Sequence, residues 1–376
     1  MDSVWVGGKV SGQRRFATQH YDLDRVKRVA KQASVSLNDV FLGLCATAMR
    51  RYLEEFLTDK RVIEWSRWFW YPILYGIVLN KRPQKVGKAY EEIWNKDLDE
   101  SYLRTYTRNQ AEKLAVALKD LPNVHVDWAM RYGQPAIQAK MNEMQKAGCE
   151  RILVYPLYPQ YAAATTATVN DEAFKALLKM RWQPALRTVP QYADDPVYIE
   201  ALANSINQHL ASLDWEPELV ITSYHGIPKS YFMKGDPYHC ECLKTGRLLG
   251  ESLGLDAGQY LVTFQSRFGK AEWLKPYTAP TIEKLAKEGC QRIDIFCPGF
   301  PADCLETLEE IAMEARDIFL EHGGKDYRYI PCLNSNPKWM DALYEIAQAH
   351  LSGWPLGQES EEELAQRDRR AELAKS

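Results

Sequence analysis

The sequence LVITSYHGIP, residues 219–228, has the pattern of a short strand that runs into a tight turn. Apolar, β-branched and aromatic residues fill five of its first six positions, which predicts a buried strand ending near Tyr224. Gly226 and Pro228 then force a turn directly after His225. Because ligands of open α/β sheets lie beyond the carboxyl ends of the strands, His225 is a candidate to bind a metal or to move a proton near neutral pH. A loop histidine with a purely structural role is the alternative.

Short apolar runs alternate with longer amphipathic runs on both sides of this segment. They predict strands over residues 124–130, 152–155, 186–189, 219–224, 260–265, 293–296 and 327–330, and helices over 135–146, 197–213, 238–253, 280–288, 304–319 and 337–351. Such alternation is typical of the α/β class, with parallel sheets that have helices on both faces. The chain has 376 residues, which fits two such units, and the turn at Pro184 predicts their boundary.

The composition is that of a folded globular protein, with 46% hydrophobic and 26% charged residues. It excludes a disordered or collagen-like chain. With 47 Lys and Arg against 50 Asp and Glu there is no basic excess, so no nucleic-acid partner is expected. Eight cysteines in so long a chain are too few for a disulfide scaffold, and they indicate reduced thiols in a cytoplasmic protein. We find neither a secretory signal nor a run of about 20 apolar residues that could span a membrane.

A set of carboxylates follows the predicted strand at residues 293–296. The set is spaced by three, four and four residues and would line one face of an α-helix: Asp303, Glu306, Glu310 and Glu314. One interpretation is structural, with Asp303 as the helix N-cap and Glu306 completing a capping box. The other is chemical, since stacked carboxylates in a cleft can relay protons or divalent cations. Together, His225 and Glu306 would leave metal coordination positions open, which suits transfer of a metal rather than storage.

An aromatic stretch, FWYPILYGIVL at residues 69–79, is preceded by further tryptophans from Trp65 onward. It is either a buried helix with its leading turn, or an exposed apolar lip at 65–79 that contacts a membrane surface or admits an apolar ligand. Indole rings favour such an interface because they combine an apolar body with a polar N–H. A basic run that includes Lys85 follows, and it either pairs with carboxylates of a ligand or forms a solvated face.

Five ordered segments together resemble the bacterial ferrochelatases, enzymes that insert ferrous iron into protoporphyrin IX to make protoheme. The resemblance covers about residues 48–355 and is carried by residues 155–166, 223–228, 235–242, 264–266 with 273–274, and 298–310. It implies two Rossmann-like, chelatase-type domains with parallel sheets flanked by helices and a porphyrin cleft between them. It also implies ferrochelatase activity in heme biosynthesis, with protoporphyrin IX and ferrous iron as the bound molecules.

The resemblance also implies roles for single residues. His225 corresponds to the cleft histidine of the family and Glu306 to the glutamate opposite it, so they are the predicted catalytic and metal-handling pair. Asp303 and Glu310 correspond to the acidic helix and, with Glu314, form the predicted relay of protons or metal. The predicted porphyrin-binding residues are Arg131, Tyr161, Trp273, Phe300, Tyr90 and Lys85.

No permanently bound cofactor is expected, and ferrous iron enters as a substrate. Some family members carry a two-iron cluster, with one ligand in the turn after the Tyr-Pro-Gln-Tyr segment. That position is Ala163 here, and no cysteine follows Leu351, so we expect no iron–sulfur cluster.

The amino-terminal part departs from the family pattern. Family members begin with a strand that ends in a Gly-Thr-Pro-like loop, and this sequence lacks it, so the first domain is expected to lack its usual first strand. Residues 14–46 resemble instead the C-terminal part of a bacterial wax ester synthase/diacylglycerol acyltransferase, without its His-His-x-x-x-Asp-Gly site. Because a lost strand exposes the edges of its neighbours, a non-catalytic porphyrin- or heme-binding protein with a crippled first domain stays open as an alternative. A chelatase for another tetrapyrrole is a second alternative.

The predicted organisation therefore has five parts. Residues 1–47 are the acyltransferase-like segment, 48–183 the first chelatase domain and 184–330 the second. Residues 331–355 form a C-terminal helix that packs on this core, and 356–376 form an exposed tail. The predicted location is the cytoplasm, with a peripheral site at the inner membrane surface if the lip contacts lipid.

Overall fold

Parallel strands flanked by helices make up most of the structure, a computed structural model that describes residues 13–16, 19–22, 28, 31–32, 37–121, 123–212, 215–354 and 361–375. The strands are β1 Gln13–Phe16, β2 Gln19–Asp22, β3 Arg151–Val154, β4 Ala185–Thr188, β5 Leu219–His225, β6 Tyr260–Gln265, β7 Arg292–Phe296 and β8 Asp326–Ile330. The α-helices are α1 Leu37–Thr58, α2 Arg67–Ile73, α3 Leu79–Glu92, α4 Tyr102–Ala117, α5 Ile137–Lys146, α6 Thr166–Lys179, α7 Pro196–Ala211, α8 Lys229–Met233, α9 Tyr238–Ser252, α10 Thr278–Lys287, α11 Leu305–Thr307, α12 Arg316–Glu321, α13 Pro337–Leu351 and α14 Glu361–Lys375. Two π-helices are Leu74–Val78 and Leu308–Ala315.

The larger sheet has four parallel strands in the order β6-β5-β7-β8. Its central strands are covered on both faces, and their interior positions are buried. Ile293 and Ile295 pack against α10 and α12, whereas Phe296 faces α7 and α13. Each such fully buried side chain stabilises the fold by about 1.5–3 kcal/mol. The predicted strands and covering helices of this half are confirmed.

The smaller sheet consists, among the described residues, of the parallel pair β3 and β4. Ile152 packs on α5 and α6, which cover this pair. Because β4 follows Pro184 and pairs with β3, the first sheet extends past the predicted boundary between residues 183 and 184. Among the described residues, the amino-terminal strands β1 and β2 pair with each other and with no other strand. Most of the predicted segment 1–47 lies outside the described residues.

The strand predicted over residues 124–130 is wrong. This segment is irregular and makes a single bridge, between Met130 and Ala136. The Met130 N–H donates locally to the Pro135 carbonyl at 2.7 Å, and the Asp127 carboxylate accepts from the Trp128 N–H at 2.8 Å. Such local hydrogen bonds compete with a sheet ladder for the same backbone groups.

The helix predicted over residues 304–319 exists, but most of it is not α-helical. It begins as the short α11, continues as the π-helix Leu308–Ala315 and ends as α12. Its N-cap is Cys304, with Thr307 completing the capping box, so the predicted cap at Asp303 is wrong by one residue. The Asp303 carboxylate instead accepts hydrogen bonds from the side chains of Thr307, Tyr329 and Asn334.

The aromatic stretch is neither wholly buried nor wholly exposed. It forms α2 and the π-helix Leu74–Val78, with Trp70 and Leu74 buried against α1 and α3. The opposite face is open to solvent, and Trp68 is 90% and Phe69 75% exposed. No helix in the described part of the chain has both the length and the apolar character needed to cross a membrane.

Candidate active site

A cavity of about 1490 Å³ lies between the helices of the first half and the carboxyl ends of β5 and β6. It exceeds the roughly 300–1,000 Å³ usual for small-molecule sites, so it has room for a large ligand. The side chains of His225 and Glu306 both line it. The structure therefore brings together the two residues that the sequence singles out at two separate strand ends.

His225 is the last residue of β5, and its imidazole is fixed by a local contact. Its Nδ1 lies 2.7 Å from the Gly226 carbonyl oxygen. Because a carbonyl can only accept, Nδ1 carries the proton and Nε2 keeps its lone pair. Burial lowers the pKa of His225, against the opposing attraction of Glu306. The imidazole is thus neutral near pH 7 and can accept a proton or bind a metal through Nε2.

Glu306 lies in α11, just beyond the end of β7, on the same cavity. Its Oε2 is buried and has no hydrogen-bond partner among the described residues. A buried carboxylate oxygen without a partner is costly unless a proton or a cation satisfies it. Arg82 supplies a nearby positive charge, and its guanidinium lies 4.8 Å from the Phe268 ring centroid. Burial lowers the pKa of Arg82, which marks this cation as partly stripped of water.

Three further carboxylates of the π-helix line the cavity: Glu309, Glu310 and Glu314. Burial raises the pKa of both Glu309 and Glu310, and Glu314 adds repulsion in each case. Ser266 and Gln265 counteract this at Glu310, where the Ser266 N–H donates at 2.6 Å. Glu309 is not in the row of carboxylates predicted for an α-helix, because the wider turn of a π-helix changes which residues share a face.

Asp303 does not belong to this group of cavity carboxylates. It is 4% exposed, it is absent from the cavity lining, and its oxygens accept hydrogen bonds from four groups. The donors are the hydroxyls of Thr307 and Tyr329, the Asn334 amide and the Cys332 N–H. A carboxylate held in this way has a structural part in joining α11 to the segment after β8.

The residues predicted to bind porphyrin divide into two groups. Those that line the cavity are Arg131, Trp273, Phe300, Tyr90 and Lys85. Within that group Arg131 is buried, and its charge is already balanced by Asp59 and by Glu172 at 3.8 Å. Tyr161 lies outside the lining, and its N–H donates to the Glu241 carboxylate at 2.6 Å. Arg82, which belongs to the basic run predicted to pair with carboxylates of a ligand, also lines the cavity. So does Gln265, which was not singled out from sequence.

His225 and Glu306 alone would not make a closed metal site. In the described ranges, no three His, Cys, Asp or Glu side chains are grouped so that they could hold a metal ion. A site with His225 and Glu306 as its protein donors would bind iron weakly enough to release it, because resident metal sites usually have three or four ligands.

A family model described as Ferrochelatase matches residues 44–351. With two α/β units around a cavity that holds a His–Glu pair, the chain is of the metal-chelatase class. The ferrochelatase of Allorhizobium ampelinum is 74% identical over 312 residues, which cover 83% of this chain and 91% of that protein. The ferrochelatase of Rhizobium meliloti is 68% identical over the same length, covering 83% and 92%. The chain belongs to the ferrochelatase family.

The amino-terminal segment and the fold have matches of their own. A model of the wax ester synthase/diacylglycerol acyltransferase catalytic domain matches residues 4–41, so both predicted resemblances are confirmed and meet at about residues 41–44. SirB from Bacillus subtilis with Fe3+ superposes with a TM-score of 0.50 over 65% of this chain and 90% of SirB. At 15% identity this likeness supports the α/β fold alone.

Proposed function

We propose that this chain inserts ferrous iron into protoporphyrin IX to form protoheme, with His225 and Glu306 handling the metal and the protons. Membership of the ferrochelatase family supports the reaction. The observation that supports the residue assignment is the pairing, on one cavity, of a neutral imidazole with a buried carboxylate oxygen that has no partner.

The reaction replaces two pyrrole N–H protons by one Fe²⁺ ion and releases two protons. It needs a base beside the ring and a donor for the incoming cation. The Nε2 of His225 is a neutral base, and Glu306 supplies a buried carboxylate oxygen that has no hydrogen-bond partner among the described residues and can pair with the incoming iron.

Protons leave the site along the cavity carboxylates of the π-helix. Glu309, Glu310 and Glu314 line the cavity together. Because burial and mutual repulsion raise the pKa of Glu309 and Glu310, these groups gain and lose protons more readily near neutral pH than ordinary carboxyls do. The proposed relay therefore consists of Glu310, Glu314 and Glu309, and Asp303 supports it structurally.

The porphyrin is held by an apolar wall and a cationic rim. Trp273, Phe300 and Tyr90 supply aromatic surface to the cavity. Lys85 is exposed at its edge and can pair with the carboxylates of protoporphyrin IX. We propose no resident cofactor, and in particular no iron–sulfur cluster, because the cluster-ligand position predicted by the resemblance is Ala163. Iron and sulfide analysis of the purified protein checks this point.

The exposed aromatic face of residues 65–79 is the proposed contact with the inner membrane surface, which would place the enzyme at the cytoplasmic side. Trp65, Trp68, Phe69 and Ile77 are 58%, 90%, 75% and 55% exposed on it. An apolar substrate and product favour loading and release at lipid. Co-sedimentation with anionic vesicles should fall for a Trp68→Ala/Phe69→Ala double variant and stay unchanged for Leu178→Ala, which removes an equally exposed apolar side chain elsewhere.

The substrate class is tested with the full chain, purified and kept without oxygen. Protoporphyrin IX with ferrous iron should give protoheme, while sirohydrochlorin with cobalt or nickel should remain unmetallated. Binding of protoporphyrin without turnover would identify a non-catalytic porphyrin-binding protein instead. Metallation of sirohydrochlorin alone would identify a chelatase for that tetrapyrrole.

A further inference from the structure

Gln265 is buried at the junction of the two strands that end at the site. It is the last residue of β6, its register partner on β5 is His225, and only 4% of its surface is exposed. A glutamine buried to this degree has four hydrogen-bonding positions to satisfy, so its neighbours show what it holds in place.

The backbone of Gln265 holds the turn that orients His225. The Gly226 N–H donates to the Gln265 carbonyl at 2.9 Å. The carbonyl of that same Gly226 accepts from His225 Nδ1 at 2.7 Å. The tautomer of His225 therefore depends on a glycine that Gln265 keeps in position.

The side chain of Gln265 holds the other half of the pair. Its Nε2 donates to the backbone carbonyl of Glu306 at 2.7 Å and to Glu310 Oε2 at 3.3 Å. Its Oε1 accepts from the Ser223 hydroxyl at 2.8 Å, which agrees with this orientation of the amide. Through one residue, the strand that carries His225 is tied to the helix that carries Glu306.

We propose that Gln265 is a positioning residue for iron insertion, which fixes the spacing of His225 and Glu306 and orients the carboxylate of Glu310. This proposal rests on the proposed function. Small errors in placement are expensive, because a displacement of about 1 Å at a reacting group can cost about 100-fold in rate. Binding of the porphyrin depends on other residues, such as Trp273 and Phe300, and should be unaffected.

The test compares Gln265→Leu and Gln265→Glu with wild type. Leucine removes both hydrogen-bonding ends of the amide, whereas glutamate keeps its shape but loses the donor toward Glu306 and Glu310. We expect kcat for protoheme formation to fall by about 10- to 100-fold in both, with KM for protoporphyrin IX within about twofold of wild type.

The pH profile supplies a readout that a merely structural role would not move. Glu310 faces Gln265 and Ser266 from the strand side and the carboxyls of Glu309 and Glu314 on its own helix. The amide of Gln265 lowers the pKa of Glu310 against burial. Without it that pKa rises, so the acidic limb of kcat should move to higher pH in Gln265→Leu.

Gln145→Leu is the matched control, since Gln145 is also a buried glutamine whose amide donates to a backbone carbonyl, that of Trp182 at 2.7 Å. Its side chain is outside the cavity lining, and it should keep wild-type kcat and pH profile. If Gln265→Leu fails to fold, Gln265→Glu decides the matter. Wild-type kcat and an unmoved acidic limb in the folded variant would overturn the proposal, whereas an inactive wild type would overturn the proposed function itself.

Discussion

Replacing Gly226 by alanine should damage the site while leaving its chemical groups intact. A Cβ added at this position would lie 3.0 Å from the Gln265 carbonyl oxygen, 3.2 Å from Trp273 Cε3 and 3.7 Å from Phe264 Cβ. The first of these contacts is with backbone inside a sheet, which cannot turn aside as a flexible side chain would. The turn after His225 must therefore move by a few tenths of an ångström.

The stability cost follows from overpacking. Extra methyl groups in a well-packed interior cost about 1–3 kcal/mol, and the close backbone contact places Gly226→Ala within that range. The same movement displaces the carbonyl that accepts from His225 Nδ1, so the rate should fall by about tenfold or more. Urea unfolding measures the first effect, and anaerobic protoheme formation at saturating porphyrin measures the second.

Gly258→Ala is the control for this experiment, because a Cβ at Gly258 meets nothing within 4 Å and its backbone is ordinary. It should retain both stability and rate. If Gly226→Ala matched Gly258→Ala in the free energy of unfolding and in kcat, the account of how the turn holds His225 would be refuted.

Three further substitutions test other parts of the account. Burial raises the pKa of Asp294 to about 6, above its ordinary value of 3.8. As the pH rises, the unfolded chain therefore loses this proton before the folded chain does. About 3 kcal/mol of stability should be lost as the pH rises from 4 to 6 in wild type but not in Asp294→Asn. Gly87 lies inside α3 with open space around it, so Gly87→Ala should raise the unfolding free energy by about 0.5–1 kcal/mol, which chemical denaturation would detect. Asp303→Ala leaves the Tyr329 hydroxyl and the Asn334 amide without their buried acceptor and should lower the unfolding free energy by about 1–3 kcal/mol. A change in the pH profile of its remaining activity would show instead that Asp303 relays protons.

Most of the second half of the fold could be predicted from sequence because its signals are local. β5, β6, β7 and β8 are short segments rich in apolar, β-branched and aromatic residues that alternate with amphipathic helices, which is the pattern of a parallel sheet with helices on its faces. The strand prediction over residues 124–130 was wrong because apolar content alone does not show which groups the backbone N–H and C=O groups bond to. There, the Asp127 carboxylate and the Pro135 carbonyl accept from the Trp128 and Met130 N–H groups, which a β-ladder would otherwise use.

The site was predictable in its chemistry but not in its geometry. His225 and Glu306 stand at strand ends, where the α/β rule directs attention. The π-helix had no signature in the sequence, so Glu309 was missed. Asp303 was placed with the relay because its spacing from Glu306 fits one helix face, whereas in the structure its oxygens accept from Thr307, Tyr329 and Asn334. Gln265 was missed for another reason, since its contacts with Glu306 and Glu310 join segments far apart in the chain.

A single-turnover measurement without oxygen tests the paired roles of His225 and Glu306 most directly. Wild type, His225→Ala and Glu306→Gln are each loaded with protoporphyrin IX, mixed rapidly with ferrous iron and followed by the change of the porphyrin absorbance to that of protoheme. All three proteins should bind the porphyrin with similar affinity, and only wild type should convert it at an appreciable rate. Conversion by either variant at the wild-type rate would contradict the assignment of that residue.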